Sequence, residues 1–282
     1  MKKRLLISFV LASFVTLACK PIDVADITGD LEQQRSAFQD AQFECPSLSI
    51  SLKLAKVFQQ LGESHNAYNV MQDARNDEVK NDNDRLQWLI TNTEIALNKK
   101  DTCAANKSLN ELALFKNFQN GGKQYQKLRA KLYQSTQNTT LDSQTITCAL
   151  TVSRSITVQS PATRGMRVVA KLDIAIHFDT DSAKLTPQGK TQTQMLAQAL
   201  SAGPLQDNNL TLIGHTDITG EAPYNQDLSQ RRAQAVKSYL AQINGSLANQ
   251  IKTLGKGEYD LLTTGTSPQD HQLNRRVEIQ LN

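Results

Sequence analysis

The apolar residues change period along this chain, and that change constrains what it can fold into. From about residue 46 to 134 they recur at three and four, as in Leu54, Ala55, Phe58, Leu61 and then Ala67, Val70, Met71, Ala74. That is the spacing of a buried helical stripe. Beyond about residue 160, strands alternate with helices. Val168, Ala170, Leu172, Ile174, Ile176 and Phe178 share one face, with Lys171, Asp173 and His177 on the other, as a half-buried strand requires. Thr186-Pro187 is a cap followed by a proline, and Gly203-Pro204 ends the helix it opens. A strand from Leu210, a long helix to about Ile243, a strand near 251–254, a short helix and a last strand at Val277, Ile279 and Leu281 follow. The expected fold class is α+β. An N-terminal α-helical hairpin domain precedes a C-terminal α/β sandwich of a mixed sheet and one helical layer.

The chain has 282 residues, enough for two modest domains. Residues 1–18 carry Lys2, Lys3 and Arg4, then an apolar run too short to span a bilayer. They are expected to be a lipoprotein signal peptide, because Leu17-Ala18-Cys19 resembles a bacterial lipobox. Cleavage would leave Cys19 as the lipidated residue, and Lys20 behind it favours the outer membrane. Residues 19–44 read as a tether, with a short helix within 31–43. The helical domain is expected over 45–135. Its Ala55, Phe58, Gly62, Ala67 and Ala74 resemble one tetratricopeptide (TPR)-like hairpin, and a bespoke bundle fits equally well. Such a layer is either a docking surface for an envelope protein or a spacer. Residues 136–165 read as a linker, in which the β-branched stretch 146–158 suggests a hairpin or edge strand. The last domain is expected over 166–282.

The net charge of +4 sits mostly in the first residues. From Met166 onward, eleven basic side chains balance eleven acidic ones, and a nucleic-acid partner would call for a basic surplus. An exported chain can form disulfides. With Cys19 lipidated, Cys45, Cys103 and Cys148 remain. Cys45 with Cys103 is the favoured pair and Cys148 the odd thiol. None has zinc-site spacing.

The densest signal is the stretch 210–233. An apolar strand ends in Gly214-His215-Thr216-Asp217, and a helix carrying Asn225 and Arg232 follows Gly220 and Pro223. Sites in open α/β sheets form beyond the carboxyl ends of strands. Asn225 and Arg232, seven residues apart, share one helical stripe beside the buried face. An inward arginine needs an anion, either Asp217 or a bound carboxylate. This run, with Ile176-His177-Phe178-Asp179 before it and Asn274-Arg275-Arg276-Val277-Glu278-Ile279 after it, resembles the OmpA-like peptidoglycan-binding domain over about 166–282. The resemblance implies that Asp217 takes the ammonium and Arg232 the carboxylate of meso-diaminopimelate in the wall's stem peptide. It also implies that Thr180, Asp181 and Asn225 line the same pocket. Peptidoglycan and the outer membrane are then the expected partners, on the periplasmic face.

Competing chemistries have less behind them. His215 and Asp217 lack a third metal ligand, no serine sits in a nucleophile elbow, and the glycines around Lys256 suit a turn rather than a phosphate loop. No catalytic residue, metal or cofactor is expected. The alternatives are an envelope scaffold acting through the helical domain, or a wall-targeted enzyme whose catalytic residues are not recognisable.

Overall fold

The computed structural model describes residues 27–115, 122–151, 169–201 and 203–282. The signal segment and Cys19 lie outside these residues. No helix among the described residues is long and apolar enough to cross a membrane. The N-terminal half comprises α1 (Leu31–Glu44), α2 (Leu48–Gln60), α3 (Ser64–Asp77), α4 (Asp82–Asn98), α5 (Thr102–Leu112) and α6 (Lys123–Thr136). Side chains of Asp30, Ser47, Asn81 and Asp101 cap α1, α2, α4 and α5, satisfying amides that each first turn leaves unpaired. Gly62 has φ +78° between α2 and α3, a left-handed turn that glycine adopts without strain. Leu54, Phe58, Met71, Leu89, Ile95 and Leu112 are buried in one core. The short helix expected within 31–43 is α1, and its Phe38 and Ala41 are buried in that same core, so these residues belong to the helical stack.

The linker also needs correction. Residues 143–150, expected in part as a strand, form α7 (Ser143–Leu150), capped by Asp142 accepting from Thr145 N. Residues 152–158 lie outside the described set. Burial overrides β-propensity here: Ile146, Ala149 and Leu150 pack into the C-terminal core with Leu172, Leu196 and Leu200. The disulfide follows the helix. Cys103 bonds Cys148, with Cα atoms 5.6 Å apart, stapling α5 to α7. The Cys45–Cys103 pairing is thus overturned and Cys148 is not the odd thiol. Proximity to a helix start favoured Cys45 with Cys103, whereas α7 lays Cys148 against α5.

The C-terminal half runs β1 (Lys171–Ile174), α8 (Pro187–Leu200), a 3₁₀ turn, β2 (Leu210–Gly214), α9 (Ala222–Ile243), α10 (Leu247–Gln250), β3 (Ile251–Gly255), α11 (Pro268–Asn274) and β4 (Val277–Leu281). The sheet order is β1-β4-β2-β3. β4 is antiparallel to both β1 and β2, with Ile279 opposite Leu172 and Leu212, and β2 runs parallel to β3. Leu196 and Leu200 from α8, with Val236 and Leu240 from α9, close the core on the sheet's apolar face. The α+β class expected from the sequence is the one observed.

The other face carries charge, and α6 covers it. Arg129 of α6 donates to Asp173 on β1 at 2.5 and 2.7 Å and to Glu278 on β4 at 2.5 Å. Arg276 reaches Asp173 at 2.8 Å and Lys171 reaches Glu278 at 3.0 Å. Asn106 of α5 donates to the carbonyls of Ala149 and Lys171. The helical half is thus fastened onto the sheet by a buried ion-pair network.

Candidate functional site

The site grows from the carboxyl end of β2. At Gly214 the strand lies so close to α9 that a Cβ would collide with the Ser229 carbonyl oxygen, so only glycine permits this approach. Beyond it, His215 N donates to Arg276 O and Thr216 N to Gly257 O, fixing the loop that presents Asp217. One Asp217 oxygen accepts from Thr219 N at 2.8 Å, the other from Arg275 Nη1 at 2.7 Å. Burial by itself raises this carboxyl, but the Thr219 amide and the Arg275 guanidinium outweigh it and hold it below its ordinary range. Asp217 is therefore an anion at neutral pH.

Arg232 comes from the inner stripe of α9 and is 8% exposed. Its Nε donates to Ser182 O at 2.9 Å, and its guanidinium lies over the Phe178 ring, 5.2 Å from the centroid. No carboxylate among the described residues lies within ion-pair distance of it. Burial, then repulsion from Arg275, lowers its pKa against the opposing pull of Asp217 and Asp181. An arginine remains charged under such a shift, so a cation held in place awaits an anion.

The five residues expected to form the site all line one cleft of about 510 Å³: Thr180, Asp181, Asp217, Asn225 and Arg232. Their roles differ. Thr180 and Asp181 stand exposed on its rim, and Tyr224 Oη donates to Asp181 at 2.5 Å. Asn225 is 3% exposed, and its amide donates to Thr219 O and Glu258 Oε2. It ties the Asp217 loop to the β3–α11 segment.

Two contributions are absent from the sequence-based set. Arg275 belongs to a run that stood out in the sequence, yet nothing there separates it from Arg276. Arg275 holds Asp217 in the cleft, while Arg276 is sealed beneath the sheet against Asp173 and the Asp260 carbonyl. Tyr133 and Gln137, at the end of α6, also line the cleft, and no local signal in the helical half marks them.

Metal binding finds little support in the geometry. His215, Asp260 and Glu278 bring possible ligand atoms within 4.8 Å of one another, but Glu278 is held by Arg129 and Lys171, and Asp260 lies beside Lys256 and Arg129. Burial and Arg276 keep the His215 pKa well below its ordinary value, so the imidazole is neutral. With Arg129, Arg276, Lys171 and Lys256 set against Asp173, Asp260 and Glu278, the cluster is already overcompensated by positive charge, which disfavours a metal ion.

The cleft at the strand ends of this small mixed sheet brings the carboxylates of Asp179, Asp181 and Asp217 into one lining with the guanidinium of Arg232. Residues 177–275 match the OmpA family model, and this part of the chain is an OmpA-like domain. Outer membrane protein A of Bordetella avium is 35% identical over 123 residues, covering 44% of this chain and 61% of that protein. Outer membrane porin F of Pseudomonas aeruginosa is 29% identical over 126 residues, 45% and 35% of the two chains. The match thus spans less than two thirds of either relative. A solved structure described as the cell wall anchor of the T6SS from Pseudomonas aeruginosa is 27% identical over 40% of this chain and 79% of that one, with a TM-score of 0.35.

Proposed function

We propose that this protein binds peptidoglycan non-covalently through the diaminopimelate of the stem peptide, without catalysing a reaction. The observation that carries this is Arg232, a buried guanidinium lining a cleft with no carboxylate of its own, in the same cleft as an ionised Asp217. The bland alternative for these two side chains is a structural bridge between them, but Asp217 is bonded to Arg275 instead. A carboxylate has about four lone-pair positions, so Asp217 can accept a ligand ammonium while retaining Thr219 and Arg275. The ligand carboxylate then pairs with Arg232. A lipid on Cys19 would hold the protein in the outer membrane and make it a tether between membrane and wall.

Each charge-assisted contact contributes roughly 1.5–3 kcal/mol net, which gives modest affinity at one site. Calorimetric titration with a stem tetrapeptide containing meso-diaminopimelate is expected to show binding that Asp217→Ala or Arg232→Ala abolishes. The same tetrapeptide with lysine at the third position lacks the distal carboxylate and should bind at least about tenfold more weakly, the equivalent of about 1.4 kcal/mol. Equal binding of the two tetrapeptides would refute the assignment of Arg232.

A further inference from the structure

We infer that the helical half is part of the ligand site, with Gln137 contacting the peptide portion that adjoins the diaminopimelate. This rests on the proposal that the cleft takes a stem peptide. Tyr133 and Gln137 line the same cleft as Asp217 and Arg232, although they lie at the end of α6, on the far side of the expected domain boundary. The cleft volume of about 510 Å³ is that of a site for a small molecule of several groups, since ligand pockets run from roughly 300 to 1,000 Å³. Clasping one zwitterionic end leaves further wall for the rest of the peptide.

That wall is rigid. Arg129, two turns earlier on α6, is locked to Asp173 and Glu278, and the Tyr133 hydroxyl donates to the Arg275 carbonyl at 3.2 Å. The same Arg275 holds Asp217, so α6 stands at the Asp217 side of the cleft. A residue at this end of α6 is pre-organised, which removes much of the ordering entropy that weakens binding.

The chemistry of Gln137 fits a peptide group. Its Oε1 is buried with no hydrogen-bond partner among the described residues, and an unpaired buried amide oxygen is unfavourable. Rotation about the last side-chain bond, a broad torsion, turns the amide oxygen or nitrogen toward a ligand. Being neutral, it offers one donor face and one acceptor face, the complement of a backbone amide and not of a charged end. The site would therefore favour peptide-linked diaminopimelate over the free amino acid.

The test is a calorimetric titration of the full chain and of Gln137→Ala with two ligands, the diaminopimelate stem tetrapeptide and free meso-diaminopimelate. The expected result is an approximately five- to tenfold weaker tetrapeptide affinity in Gln137→Ala, the loss of one hydrogen bond. Free diaminopimelate should bind both proteins equally, and an unchanged melting temperature shows that the fold is intact. Equal tetrapeptide affinity in both proteins, or equal losses for both ligands, overturns the role of Gln137 while leaving Asp217 and Arg232 in place. A wild-type protein that binds neither ligand overturns this inference together with the function on which it rests.

Discussion

At the scale of single residues, the site is a division of labour between an anion that is already satisfied and a cation that is not. Asp217 has its amide and its guanidinium, while Arg232 has a carbonyl and an aromatic ring but no counter-charge. The guanidinium plane matters as much as its charge. A lysine cannot reproduce both the Nε bond to Ser182 and the stacking on Phe178 while offering a two-pronged donor to a carboxylate. Arg232→Lys should therefore lose about tenfold or more in stem-peptide affinity with little change in melting temperature, as titration and thermal unfolding of the same sample would show. Asp217 and Arg232 were singled out because the run they stand in resembles a known domain, while the strand end and the helical stripe shared by Asn225 and Arg232 place them only near one another. Arg275 was not. Whether Arg275 or Arg276 holds Asp217 depends on the turn out of α11, and the two side chains are alike. The function of Asn225 as a loop tie was hidden for a similar reason, since its partner Glu258 lies 33 residues away.

At the scale of elements, α7 and α6 make the chain's two halves one structure. The sequence announced α2, α3 and the strand–helix alternation because their apolar periods are long and regular. It misled over 146–150 because β-branched residues in a short segment fit a strand as well as a helix. The Cys103–Cys148 bond spans a separation of 45 residues and restricts the unfolded chain accordingly. Its reduction should lower stability by roughly 2–4 kcal/mol, measurable as a melting-temperature drop in the presence of dithiothreitol. The α6 network makes a sharper forecast. Arg129→Met leaves Asp173 and Glu278 short of a buried partner and should destabilise by about 3–5 kcal/mol. The pH dependence carries the same signature. Burial raises the Glu278 carboxyl, but Arg129 and Lys171 more than reverse this and hold it far below its ordinary range. Its stabilisation is thus complete above the unfolded value of about 4.3 and is lost as pH falls beneath it. His215 is also depressed. Below about pH 6.5 the unfolded chain takes up a proton that the folded chain refuses, so stability falls as pH drops. The melting temperature should decline from pH 7 to 5 and more steeply toward 4. The steeper part should shrink in Arg129→Met.

At the scale of the whole molecule, the expected boundary near residue 165 separates two patterns of sequence but not two cores. Leu141, Ile146 and Leu150 lie with the sheet, and α6 covers its charged face. An apolar stripe shows in the sequence that a helix is buried, but not against what. Charged positions on β1 and β4 read as solvated until Arg129 is placed over them. We propose that this rigid union carries force between a lipid-anchored N-terminus and the wall. Repeated ligands along the polymer would raise the effective strength of a modest single site. Co-sedimentation of the purified full chain with insoluble diaminopimelate-type peptidoglycan tests this most directly. The account predicts wild-type protein in the pellet and both Asp217→Ala and Arg232→Ala in the supernatant. Equal pelleting of all three proteins would contradict it.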